Sequence, residues 1–322
     1  MSKTSIEWLP DARLNDCRTS GETMGTRYSA RFHAPPGADV RAISAALATA
    51  VTAVDRQMSN WQADSDLSRL NREAPHAWVS IPTNLATVLT RALEIGRETG
   101  NAFNVGVGDL VNHWGFGPAG RPGTPAPRAG SKPRLPLHDL LEIDGAGCRA
   151  RKHGPVALDL CGIAKGFGVD ELARVLDANG IGSWLVGIDG EMRARGVKPD
   201  GSPWAIALEA PQDERREAMA VIELEDAAVA TSGDYRHWAV VGGQRISHTM
   251  DPRTGTPLRS ALASVTVVAP RCMDADAYAT ALMVLGDAAG RDLAQRLGLD
   301  ALFVRRDGQG FRTAGAGFFD AA

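Results

Sequence analysis

Two hydrophobic rhythms are interleaved irregularly along this chain, and that irregularity is what most constrains its fold. Apolar residues at Val40, Ile43, Leu47, Val51, Val54 and Met58 recur every three or four positions, the spacing that gathers them on one face of a helix. Leu85, Val88, Leu89, Ala92 and Ile95 repeat the pattern, with Gly100 placed to stop that helix. Further helices are predicted over residues 166–179, 276–285 and 288–297. Strand-like runs fall at 22–33, 156–160, 183–188, 204–208, 220–224, 264–269 and 301–305. Strands and helices do not alternate one for one, so the pattern predicts an α+β protein rather than a regularly wound parallel sheet. No internal repeat of short fixed period is present.

With 322 residues, 44% of them hydrophobic, the chain can bury a core as one large domain or two closely joined halves. Residues 1–20 read as an N-terminal extension and residues 21–322 as a single domain. Residues 117–136 are rich in Gly and Pro and are expected to form an exposed loop of that domain. The formal net charge is -3 and basic residues are scattered, which gives no general attraction to nucleic acid or anionic lipid. No apolar run is long enough to span a bilayer, and the first ten residues lack an apolar leader and contain Glu7. A cytoplasmic location is expected, unless an export leader has been removed. Cys17, Cys148, Cys161 and Cys272 are far apart with no C-x-x-C pair, which argues against a zinc site and a disulfide framework.

Several segments carry candidate chemistry. Residues 247–255 (SHTMDPRTG) place an imidazole, a carboxylate, a guanidinium and hydroxyls in one turn-prone stretch. Residues 159–166 (DLCGIAKG) run from a strand-like segment toward a helix N-terminus, where backbone N–H groups and Lys165 suit an anion. The spacing is not that of a Walker A loop, and a tight turn with a solvated lysine fits the same residues. Asp276 and Thr280 stand at i and i+4, so both oxygens can reach one hard cation; equally, Asp276 can complement the helix dipole while Thr280 bonds back to its own turn. Residues 187–191 (GIDGE) set two acids among two glycines, as either a ligand approach or a simple turn.

Taken together, the blocks resemble the ApbE-type flavin transferases, the FAD:protein FMN transferases. The similarity extends over about residues 22–286 and includes MGT (24–26), MSNWQADSDLSRLN (58–71), DLVNHWGFG (109–117), DLCGIAKG (159–166), ATSGDY (230–235), HTMDPRTG (248–255) and ADAYAT (275–280). It implies an α+β architecture of the tunnelling-fold type, with antiparallel sheets, packed helices and FAD between two halves. It also implies Mg²⁺ and transfer of FMN from FAD, through a phosphoester, to Ser or Thr of an acceptor flavoprotein, with release of AMP. By resemblance, FAD contacts map onto Met24, Trp61, Ala102, Phe103, Asn104, Asp159, Lys165 and Met250. The metal positions map onto Asp276, Thr280 and the Gly162 carbonyl, and His248 becomes the candidate general base. Three positions depart from the family's habit: Trp61 stands where Tyr is frequent, Asn104 where Asp is usual, and Gly162 where Ala or Thr is common. An Mg²⁺-dependent FAD pyrophosphatase and a non-catalytic FAD-binding protein remain as alternatives on these residues alone.

Overall fold

Alternation along the strands divides this molecule into layers. A computed structural model describes residues 5–9, 14–118, 135–212, 217–235, 238–241, 244–308 and 310–320. The central sheet has nine strands: β1 (Ser5–Leu9), β2 (Asn15–Thr23), β3 (Thr26–Ala34), β4 (Trp184–Ile188), β5 (Glu191–Arg195), β6 (Ala228–Gly233), β7 (Leu262–Ala269), β8 (Asp300–Asp307) and β9 (Gly310–Ala316). Their order across the sheet is their order in the chain, and every neighbouring pair is antiparallel. Within the expected N-terminal extension, residues 5–9 and 15–20 therefore belong to the sheet rather than standing apart from it.

Successive side chains leave a strand on opposite faces, and the core separates accordingly. Ala230 of β6, Val265 and Val267 of β7, and Ala301 and Phe303 of β8 pack on the helical side. Val229, Leu302 and Val304 point the other way, where the hairpin of Trp204–Glu209 and Ala218–Leu224 covers them. On the helical side lie α1 (Val40–Met58), α2 (Thr83–Glu98), α3 (Ala164–Ala178), α4 (Cys272–Leu285) and α5 (Asp287–Leu297). Helix α4 is buried along its whole length except at Thr280 and Leu285, as expected for a helix that is apolar all round.

The expected α+β class with antiparallel sheets is what the chain adopts, and α1 occupies the very residues its periodicity marked. Two strand expectations fail. Residues 22–33 are a hairpin rather than one strand: β2 ends at Thr23 and β3 begins at Thr26. Met24 and Gly25 between them take φ of 47° and 71°, the two positive values of a type I′ turn. Residues 156–160 form no strand. Their backbone groups find other partners: the Leu158 N–H donates to Asn71 Oδ1 at 2.7 Å, and Asn71 Nδ2 donates to the Leu158 carbonyl at 2.9 Å. The Asp159 N–H donates to the Val105 carbonyl at 2.7 Å. An apolar run without a neighbouring strand stays extended, because one side-chain amide and a loop meet its hydrogen-bonding needs.

Of the loop expected over residues 117–136, positions 119–134 lie outside the described residues. All four cysteines are free. Among the described residues, no helix is long and apolar enough to cross a membrane.

Candidate active site

A cavity of about 1400 Å³ opens where the β2–β3 turn, the end of α1, the start of α3, the β4–β5 turn and one side of α4 converge. Every residue named from the sequence as an FAD contact, metal ligand or base lines it.

The cavity wall is built on a mutual clasp of two helices. Helix α3 starts without a side-chain cap of its own, which leaves its first N–H groups in need of acceptors. Asp276, on α4, reaches across and accepts from the Gly166 N–H at 3.0 Å. Asp170, on α3, returns the contact by accepting from the Cys272 and Met273 N–H groups, each at 3.0 Å. Only glycine fits at position 166, since a Cβ there would stand 2.4 Å from the Cys272 carbonyl oxygen. The clasp fixes Asp276 at the positive end of α3.

Asp276 is 4% exposed. Burial, reinforced by the charge of Glu191, pushes its carboxyl up to about 7, against the opposing pull of Lys165 and the Gly166 N–H. Lys165 Nζ lies 2.7 Å from Glu191 Oε1 and 3.6 Å from Asp189 Oδ2. Burial disfavours the lysine's charge, but Glu191, Asp276 and Asp189 together hold its pKa above the ordinary value. One turn along α4 from Asp276, Thr280 Oγ1 is 3.0 Å from Ser232 Oγ. Gly162 comes against the same hydroxyl: a Cβ at 162 would sit 3.0 Å from Thr280 Oγ1. Three hard oxygen donors, the Asp276 carboxylate, the Thr280 hydroxyl and the Gly162 carbonyl, thus belong to adjoining pieces of one wall.

Sequence reasoning did not single out Glu191, Asp189 and Ser232 as site residues. The turn of residues 187–191 was visible as two acids among glycines, but nothing local announces that Glu191 is 3% exposed and paired with a lysine in another element.

The opposite side of the cavity is more apolar. Phe103 and Ala102 are buried, whereas Trp61 is 67% exposed and offers a flat face at the mouth. Asn104 braces its own loop: Oδ1 accepts from the Gly106 N–H at 2.7 Å, and Nδ2 donates to Asn101 Oδ1 at 2.9 Å. The second of these bonds uses the amide donor that an aspartate lacks. Burial raises the Asp159 carboxyl, partly offset by the Cys161 N–H that donates to it at 2.9 Å. Met24 holds the hairpin turn, and its Cε would meet a Cβ at Gly168 at 3.1 Å, so a glycine on α3 makes room for it. Met250 packs with Leu110, Trp114 and Ile246.

His248 is half-buried on the cavity wall, its ring 6.4 Å from that of Phe116 in an edge-on arrangement. Asp251 and Arg253, the carboxylate and guanidinium of the same stretch, are committed to the turn. Arg253 Nε and one terminal nitrogen donate to the two Asp251 oxygens, both at 2.9 Å, and the guanidinium also reaches the Val284 carbonyl at 3.1 Å. The pair locks the segment to the end of α4. Thr254 pairs its hydroxyl with that of Thr256 at 2.9 Å.

Comparison with known proteins places this architecture. Residues 24–303 match the model of the ApbE family. The chain is 38% identical over 295 residues to the FAD:protein FMN transferase of Vibrio cholerae, covering 91% of this chain and 88% of that protein. It is 34% identical over 301 residues to the FAD:protein FMN transferase of Escherichia coli (strain K12), covering 91% and 85%. Among solved structures, the apo form of the Pseudomonas stutzeri flavinyl transferase ApbE aligns with a TM-score of 0.86 at 35% identity, covering 97% of this chain and 98% of that one.

Proposed function

The chain belongs to the ApbE family, and from that premise we infer that its cavity binds FAD and transfers the FMN half to a Ser or Thr hydroxyl of an acceptor protein, releasing AMP. The observation that carries this reading is the meeting of Lys165, Asp276, Thr280 and His248 in one cavity of about 1400 Å³. That exceeds the roughly 300–1,000 Å³ of an ordinary ligand pocket and leaves room for a dinucleotide. Residues from Met24 to Val284 line it, which supports treating the nine-stranded sheet and its helices as one working domain.

In the reaction, the acceptor oxygen forms a bond to the FMN-side phosphorus. The bridging P–O bond breaks and AMP departs with the bridging oxygen. His248 is the residue to take the hydroxyl proton, because a neutral hydroxyl is a weak nucleophile and an imidazole titrates near neutrality. Trp61 and Phe103 offer aromatic surface for the flavin or adenine ring. The positive end of α3, where Lys165 stands, belongs to the cavity wall and suits the phosphates.

Mg²⁺ fits the donor set formed by the Asp276 carboxylate, the Thr280 hydroxyl and the Gly162 carbonyl. All three are hard oxygens, and the carboxylate is buried where a cation would relieve its cost. Among the described residues no group of three or more His, Cys, Asp and Glu side chains could hold a metal; Mg²⁺ does not need one, since it keeps waters and substrate phosphate oxygens as ligands. When bound, the ion supplies charge neutralisation at the pyrophosphate.

The test is to incubate the protein with FAD, Mg²⁺ and an acceptor domain bearing a Ser/Thr flavinylation motif, following acceptor mass and free nucleotides. An acceptor gain equal to FMN with matching AMP is expected. Free FMN and AMP without an adduct would make the protein a hydrolase, and intact FAD would make it a carrier. The relatives, named as transferases, favour neither alternative.

A further inference from the structure

Around Lys165, the described lining of the cavity is poorly matched to a bare nucleotide. Beside that lysine stand the carboxyl groups of Glu191, Asp276 and Asp189. Lys165 is already engaged, with Nζ 2.7 Å from Glu191 and 3.6 Å from Asp189. Glu191 is 3% exposed, so its charge acts through protein rather than through screening water. A pyrophosphate brings two further negative charges into this space.

Building on the FAD-transfer reading, we propose that Glu191 is a positioning residue that makes FAD binding conditional on a divalent cation. It holds Lys165 on the protein side of the cavity and, with Asp189, repels a metal-free pyrophosphate. The ligand the cavity accepts is therefore a dinucleotide pyrophosphate together with its cation. A merely structural ion pair would affect folding stability but not the ratio of affinities with and without metal.

That ratio is the measurement. FAD affinity is read by flavin fluorescence on the full chain at pH 8, once with millimolar Mg²⁺ and once with chelator, alongside a thermal melt. The wild type is expected to bind FAD at least about 30-fold more weakly in chelator, the scale of one or two close charge contacts in a partly buried site. In Glu191→Gln the ratio should fall to about threefold or less, chiefly because metal-free affinity rises. Glu191→Asp should restore most of it. Asp189→Asn gives the same direction to a smaller extent, and it keeps the test alive if Glu191→Gln does not fold. Asp189 sits at φ 59° in a turn, a conformation asparagine accepts. Equal wild-type affinity with and without Mg²⁺, or an unchanged ratio in a folded Glu191→Gln or Asp189→Asn protein, overturns the proposal alone. No FAD binding under either condition overturns the transferase reading and this proposal with it.

Discussion

Helices α3 and α4 cap one another, Asp276 at the start of α3 and Asp170 at the start of α4, yet the two junctions serve different ends. Burial raises both carboxyls. At Asp170 the charge is answered within the protein, by two backbone N–H groups and by Arg193 at 2.7 Å. Asp276 has one such N–H, and it faces Glu191 as well as Lys165. The first junction is satisfied as it stands and holds the helices together. The second retains negative charge beside a cavity, where a ligand can complete what the fold does not. The same capping physics yields a structural joint where the counter-charge is built in and a candidate binding site where it is not.

The sharpest way to break this contrast is at Asp276. Asp276→Asn keeps an oxygen for the Gly166 N–H but removes the charge, and FMN transfer to an acceptor should fall by about a thousandfold. Its stability should change in the opposite sense. A carboxyl raised from an ordinary 3.8 to about 7 in the fold stabilises the folded state below the lower value, and that contribution is lost as pH rises through the higher. In chelator, the urea midpoint of the wild type should therefore decline between pH 5 and pH 8 more than that of Asp276→Asn. His248→Asn should lower transfer by roughly a hundredfold or more while FAD binding persists; unchanged turnover would remove the imidazole from the base's role.

At the structural joint, Asp170→Ala leaves two N–H groups and Arg193 without their acceptor. Unfolding free energy should drop by roughly 3 kcal/mol, while the FAD affinity of the remaining folded protein stays within about threefold. Equal damage to affinity and stability would erase the distinction between the junctions. The smallest effect is expected at the cavity mouth. Trp61→Ala should weaken FAD binding by about five- to tenfold without moving the melting temperature, since the ring is 67% exposed.

Much of this organisation is legible in the amino-acid order, where the relevant physics is local. The three-and-four spacing from Val40 to Met58 gives α1 its bounds. The motif blocks converge on one cavity because their carriers are turns and helix ends that the sheet brings together. What escapes local reading depends on partners far along the chain. Residues 156–160 have a strand's composition, but Asn71 and Val105 meet their hydrogen bonds. The Met24–Gly25 bend changes the phase of burial, from Thr19, Gly21 and Thr23 before it to Tyr28, Ala30 and Phe32 after it, and a single such slip is hard to separate from one continuous alternating run. Glu191 looked like one acid of a turn; only its contact with Lys165, a neighbour by folding and not by sequence, gives it a place in the site.

The sheet's strand order, identical to chain order, bears on how the protein comes into being on the ribosome. Each strand that emerges after the first finds its partner already synthesised, so the sheet can grow in one direction during translation. The wall carrying Asp276 and Thr280 emerges late, with α4 (Cys272–Leu285). A nascent chain halted before that helix would possess the scaffold and Lys165, yet would lack the carboxylate that caps α3. On the proposed reading, the competence to hold the nucleotide thus arrives only with α4, after most of the sheet is in place.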